Sequence, residues 1–107
     1  MKITLSKIAT AAAWHCLSNT DAKARSELRN HSRVTRAIRA GATTPDQENQ
    51  NSFTFLGGEV ELVDENLYKY FLEIVDKKVN TGVPGAFAEG YCDLVDALDD
   101  AKPKKEG

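Results

Sequence analysis

The feature that most constrains the fold of this 107-residue chain is the uneven placement of its large apolar side chains. Of the 24 Leu, Ile, Val and Phe residues, 17 lie from position 52 onward, and all three Tyr lie there as well. Because such side chains fill protein cores, the sequence predicts a core formed mostly by the C-terminal part. The length allows one domain, which we assign to residues 1–101.

Charge is divided along the chain in the same way. Residues 1–45 hold eight Lys and Arg against two Asp and Glu, whereas residues 46–107 hold six against fourteen, which leaves a net charge of −2. The composition is 41% hydrophobic with only ten Gly and Pro, which excludes collagen-like and low-complexity chains. No stretch approaches the roughly 20 apolar residues of a membrane span, so we expect a soluble globular protein without a membrane partner.

The N-terminal part is predicted to contain two helices. Residues 5–17 are alanine-rich with apolar side chains at helical spacing, which favours a short amphipathic helix; residues 2–5 have the alternative of forming a strand. Cap-type residues at 19–21 and Gly41 bound a second helix over 22–40. Its apolar stripe is thin, because only Leu28, Val34 and Ile38 offer large side chains. This thin stripe predicts that a partner or a second copy completes its burial.

A linker and a β-hairpin are predicted to follow. Residues 41–51 lack periodicity and apolar content, as is typical of a linker. In the segment 52–63, Phe53 and Phe55 alternate with polar residues before Gly57-Gly58, and Val60 and Leu62 alternate after it. Two glycines supply the backbone freedom of a tight turn, so we expect a hairpin that pairs the Phe segment with the Val-Leu segment.

The rest of the chain is predicted to form a helical hairpin. Asp64 is suited to cap a helix over 65–79, and Pro84 is suited to the first turn of the next helix. The tail 102–107 has no apolar residue and is expected to be solvated. The predicted fold class is therefore α+β, mainly α: a basic helical part (1–40), a linker (41–51), and an acidic β-hairpin plus helical hairpin (52–101).

Arginines on the predicted second helix are the first candidate binding residues. Steps of four, four and three place four of them on one side of a helix, namely Arg25, Arg29, Arg33 and Arg36. Lys23 and Arg39 flank this series. Such a helix is able to neutralise the phosphates of a nucleic-acid backbone. A solvated helix face is the alternative, favoured by the sequence pI of 5.6.

A complementary acidic row is predicted on the last helix. Its members repeat at steps of four, three and four, opposite the apolar stripe, and are Glu89, Asp93, Asp96 and Asp100. The two rows have nearly the same pitch, so they are able to pair within one chain or between two copies. Exposed ion pairs are each worth less than about 1 kcal/mol, so they set orientation and partner choice more than stability.

Catalytic and metal sites are not indicated by the residues. His15 and Cys16 are adjacent, so on a helix they point about 100° apart, and no second close-spaced pair completes a zinc site. We interpret Cys16, Cys92 and Trp14 as core residues, and we expect no catalytic residue, metal, cofactor or small-molecule substrate. Two cysteines make no disulfide scaffold, and Lys7 interrupts the only run resembling a signal peptide. A reduced, cytoplasmic setting is expected.

The opening MKITLSKIATAAAWHCLSN, followed by an Ala- and Arg-rich helix, resembles the start of small phage- or prophage-encoded accessory proteins. The resemblance covers about the first forty residues and includes no catalytic or binding motif, so it assigns no residue a role. It implies a small non-enzymatic protein in a bacterial host cytoplasm. The sequence therefore predicts a non-enzymatic interaction or adaptor protein that self-associates, with nucleic-acid binding through the Arg-rich helix as the alternative.

Overall fold

The computed structural model of the protein describes residues 1–22, 24–45 and 53–101. These residues form four α-helices, two pairs of short antiparallel strands and one 3-10 helix. In chain order they are β1 (Lys2–Leu5), α1 (Lys7–Ser18), α2 (Arg25–Ala42), β2 (Thr43–Pro45), β3 (Phe53–Phe55), β4 (Gly58–Glu61), α3 (Glu65–Thr81), the 3-10 helix (Gly85–Phe87) and α4 (Ala88–Ala101). The mainly helical α+β fold class, with a hairpin between α2 and α3 and a C-terminal helical hairpin, is confirmed.

Helix α1 lies at the centre of the fold and contacts α2, α3 and α4. Ser6 caps its start by accepting a hydrogen bond from the N–H of Ala9 at 3.2 Å. The buried side of α1 carries small residues, Ala9, Thr10, Ala12, Ala13 and Cys16, which are fully buried. Small side chains let neighbouring helices approach the α1 backbone closely, so α1 packs against several elements at once.

The closest of these approaches is between α1 and α4. A Cβ atom placed on Gly90 of α4 would lie 2.5 Å from the carbonyl oxygen of Ile8 and 3.0 Å from the Cβ of Ala12. Only a residue without a side chain fits at this distance. The C-terminal hairpin of α3 and α4 is joined by the Tyr68 hydroxyl, which donates to the carbonyl of Leu98 at 2.6 Å.

The strand pairing differs from the predicted one. The hairpin between α2 and α3 is formed by β2 and β3, with Thr43 opposite Phe55, whereas β4 pairs antiparallel with β1, with Ile3 opposite Val60. Gly57 and Gly58 do have positive φ values of 77° and 156°, but they carry the chain from one strand pair to the other. The predicted pairing of 53–55 with 60–62 is wrong because β1 offers β4 a partner whose alternate residues are buried.

The second helix begins later than predicted, at Arg25 instead of residue 22. Asn19 and Thr20 do not cap it, because their side chains bond back to the carbonyls of His15 and Cys16 at 2.8 and 2.7 Å. They therefore end α1. At the other end, residues 41–45 of the predicted linker belong to α2 and β2, since the Ala42 carbonyl accepts the N–H groups of residues 56 and 57. Residues 46–51 of that linker and the tail 102–107 lie outside the described residues.

The core is shared between the two parts of the chain, contrary to the prediction of a mostly C-terminal core. Among the described residues, the buried apolar set has ten members in 1–45 and nine in 58–101. Four of the ten are alanines, so the N-terminal part contributes by close packing and not by bulk. Trp14 is half-buried, with its ring 6.3 Å from that of Phe55, and Cys92 is exposed instead of buried.

The Gly90 contact generates a stability prediction. Ala in a helix favours folding over Gly by up to about 1 kcal/mol, but forcing a methyl group against backbone costs about 1–3 kcal/mol. We expect Gly90→Ala to lower the free energy of unfolding by about 1–2 kcal/mol net, measured by urea denaturation followed by circular dichroism. The matched control is Gly85→Ala, whose added Cβ meets nothing within 4 Å. A Gly90→Ala protein as stable as the wild type would contradict the close α1–α4 contact.

Candidate interaction surfaces

The arginine face of α2 is defined by Arg25, Arg29, Arg33, Arg36 and Arg39, all of which are exposed. The opposite side of α2 packs on β4 and α3 and buries Val34, Ile38 and Ala42 completely or nearly so. The sequence therefore predicted correctly that the arginines share one side of this helix. The thin apolar stripe, however, is buried within the chain itself and leaves little for a partner to cover.

Four members of the arginine face carry unneutralised charge. Within the described ranges, no ion pair joins Arg25, Arg29, Arg33 or Arg36 to an acidic side chain; the one ion pair there connects Lys2 and Glu59 at 3.5 Å. At 1.5 Å of rise per residue, the four guanidinium groups start from a helix segment about 16 Å long. Guanidinium groups stay protonated at every physiological pH, so this face is permanently cationic.

Leu28 is the one large apolar residue beside the arginine face that the prediction misplaced. The sequence assigned it to the core with Val34 and Ile38, but its side chain is 60% exposed. It lies in the first turns of α2, where residues 24–29 are all exposed. Leu28 and Arg25 are neighbours on the helix surface, so an apolar side chain borders the arginine face.

The acidic row lies on a different side of the molecule. Helix α4 packs on α1 and β1, and its residues Glu89, Asp96 and Asp100 are exposed. Asp93 is half-buried and accepts a hydrogen bond from the Ser6 hydroxyl at 2.8 Å, so it supports the N-terminal cap of α1. In the part of the chain that the structure describes, the acidic row makes no ion pair with Arg25, Arg29, Arg33 or Arg36.

An apolar groove that the sequence did not indicate runs between the end of α3 and the start of α4. It has a volume of about 440 Å³ and is lined by Val79, Val83, Ala88, Tyr91, Cys92, Val95 and Asp96. Val79 is 42% exposed. The only charged residue in this lining is Asp96, which also belongs to the acidic row, so the groove is an apolar channel with an acidic edge.

Both histidines pair with tyrosines and hold helices together. The Nε2 of His31 is 2.8 Å from the carbonyl oxygen of Leu17, and its Nδ1 is 3.0 Å from the Tyr70 hydroxyl. A carbonyl only accepts, so Nε2–H donates to it, and in the neutral ring Nδ1 accepts from the tyrosine. His31 thereby connects α2 to both α1 and α3, which is a structural role.

His15 lies in a second cluster, between α1 and α4. Its Nδ1 is 2.9 Å from the Tyr91 hydroxyl, and its ring stacks on Phe87 with a centroid distance of 4.3 Å. Burial raises the pKa of Tyr91 and that of the neighbouring Cys16 thiol. A buried thiol that stays protonated is a poor nucleophile and a poor metal ligand, so these residues serve packing and hydrogen bonding.

Two further features concern the described residues only. Residues 1–22, 24–45 and 53–101 contain no group of three or more His, Cys, Asp or Glu side chains placed to hold a metal ion. None of the helices in these ranges combines the length and the apolar character needed to cross a membrane.

Comparison of the chain with protein-family models, curated proteins and solved structures finds no match. The resemblance of the first forty residues to phage-encoded accessory proteins therefore stays a prediction.

The cysteine environments generate a second prediction. Cys16 is fully buried with a raised thiol pKa, whereas Cys92 is exposed, and alkylation requires an accessible thiolate. At mildly alkaline pH we expect iodoacetamide to modify only Cys92 in the folded protein and both cysteines after denaturation, as read by peptide mass spectrometry. Equal modification of Cys16 in the folded protein would contradict its placement under α3 and α4.

Proposed function

We propose that this protein is a non-enzymatic interaction protein that binds an acidic protein surface through the arginine face of α2. The observation that carries the proposal is that four arginines on this face are exposed and have no ion-pair partner within the described ranges. Complementary charge guides encounter and selects partners. Leu28, exposed beside the arginines, supplies the apolar contact that gives such an interface its affinity.

The apolar stripe of α2 is buried within the chain, and this supports the choice of the arginine face as the binding surface. Val34, Ile38 and Ala42 are already covered by β4 and α3, so a partner of α2 meets the opposite, cationic side of the helix. A partner with carboxylates at helical spacing fits the arginine steps of four, four and three. The acidic row of a second copy has nearly the same pitch, with steps of four, three and four, so we include self-association in the proposed function.

Binding to a nucleic-acid backbone is the second candidate. Unpaired guanidinium groups along about 16 Å of helix favour it, because each is able to neutralise a phosphate. The net charge of −2 and the sequence pI of 5.6 oppose it, because domains that bind nucleic acid are usually basic. We therefore rank it below binding to an acidic protein surface.

We place this function in the cytoplasm, without cofactor, metal or small-molecule substrate. Both cysteines are free, and one of them is exposed, which is typical of proteins in a reducing compartment. A bacterial host cytoplasm is the setting if the chain is phage-encoded.

The test uses labelled poly-L-glutamate as an acidic polypeptide and fluorescence anisotropy as the readout. We expect binding at about 50 mM salt and its loss at about 500 mM, as the Debye length falls from about 14 to 4 Å. The variant Arg29→Gln/Arg33→Gln is expected to weaken binding at low salt by up to about thirtyfold, since each of the two lost contacts to an anion costs up to about 1 kcal/mol.

The matched control is Lys69→Gln/Lys77→Gln, which removes two exposed positive charges from α3. Equal weakening by both variants would mean that poly-L-glutamate responds to net charge, and the proposal would be abandoned. A short DNA duplex titrated in parallel tests the second candidate. Binding of the duplex tighter than that of poly-L-glutamate, and dependent on the same arginines, would reverse the ranking.

A further inference from the structure

The groove between α3 and α4 has an apolar floor that the proposed function does not use. Asp96 lines the groove. Asp99 is exposed and follows Asp96 by three residues on α4, so the two carboxylates occupy neighbouring positions on the surface of that helix. The groove thus combines an apolar floor with carboxylates along its α4 side.

This combination is the complement of the exposed end of α2. There Leu28 is exposed, and its neighbour on the helix surface is Arg25, three residues earlier. A groove of about 440 Å³ has room for a leucine side chain together with the methylene groups of a flanking arginine. Arginine stems commonly cover apolar surface while their charged ends reach a carboxylate.

Symmetric pairing of identical surfaces is disfavoured by charge. Two grooves facing each other would bring the carboxylates of Asp96 and Asp99 against their own copies, and two arginine faces would oppose like charges in the same way. Like charges placed together across an interface oppose association. Only a contact between the two different surfaces neutralises both.

We propose that copies of this chain associate head to tail, with Leu28 of one copy seated in the α3–α4 groove of the next. Arg25 and Arg29 then lie against Asp96 and Asp99 of that second copy. This inference rests on the proposed function, and it names the acidic surface as a second copy of the chain. The contact is heterologous, so it closes into a ring or continues as an open chain, and its extent rises with protein concentration and falls with salt.

The contact is tested by complementation between two blocked variants. Arg25→Gln/Leu28→Ser/Arg29→Gln removes the charges and the apolar contact of the α2 surface and keeps the groove, whereas Asp96→Lys/Asp99→Lys reverses the charge of the groove and keeps α2. In a head-to-tail contact each variant alone is monomeric, but an equimolar mixture forms a dimer and nothing larger. Light scattering after size exclusion at low salt measures all three samples beside the wild type, which is expected to exceed the mass of a dimer as its concentration rises.

The apolar part of the contact is tested with two equally exposed leucines. Leu28 and Leu56 are 60% and 57% exposed, and Leu56 lies between β3 and β4. Leu56 is a suitable control although its N–H bonds to Ala42 of α2, because Ala42 lies fourteen residues, or about 21 Å of helix, from Leu28. We expect Leu28→Ser to raise the dissociation constant of the mixed dimer about tenfold, as for a central apolar contact, when introduced into the groove-blocked variant. Leu56→Ser in the same variant is expected to leave the constant unchanged.

Three outcomes would overturn the inference: a monomeric wild type at all concentrations, a wild-type oligomer that survives in both blocked variants, or a mixture that stays monomeric. Folding of each variant is checked by its circular dichroism, so loss of association is not confused with unfolding. If poly-L-glutamate still binds to the arginine face in any of these cases, the proposed function stands and only the second copy is excluded as its partner. Loss of both would refute the two proposals together.

Discussion

The contact of α4 with the backbone of α1 at Gly90 is the constraint on which the rest of the structure depends. Because Gly90 has no side chain and the facing residues of α1 are alanines, the two helices approach within backbone distance. That approach positions Tyr91 beside His15 and Asp93 beside Ser6. One bond fixes the middle of α1 and the other its N-terminal cap, so the central helix is held along most of its length by a single neighbour.

The small number of large apolar residues in the N-terminal part also explains why charge is separated on the surface. With few large apolar residues in the N-terminal part, α2 has to use every one of its suitable side chains against β4 and α3, except Leu28. Its arginines therefore lie on the outer side of α2. The exposed acids of α4 lie on a different side of the molecule, because α4 packs on α1 and β1. The result is a molecule with a cationic surface and an anionic surface that do not meet within the described part of one chain.

Local signals in the sequence predicted the helices and the cap of α3, although Asn19 and Thr20 end α1 and do not cap α2. Asp64 accepts the N–H of Leu67 at 3.0 Å as a helix cap should, and the glycines at 57 and 58 do turn the chain. The strand partners were not predictable in this way. A turn signal shows where the chain bends, but β4 pairs with β1, more than fifty residues away, and no local pattern encodes that choice. The exposure of Leu28 and Cys92 escaped prediction for a related reason, since it depends on where neighbouring elements end.

The pairing of β1 with β4 also determines when this fold can be completed during synthesis. Strand β1 and helix α1 leave the ribosome before their main partners, because the partner of β1 begins at Gly58 and the helix that covers α1 begins at Ala88. Until those residues emerge, β1 is unpaired and α1 lacks its largest contact. Contacts of such long range are formed slowly. The nascent chain is therefore vulnerable to misassociation or proteolysis before α4 is made, and α1 reaches its native packing only after α4 has emerged.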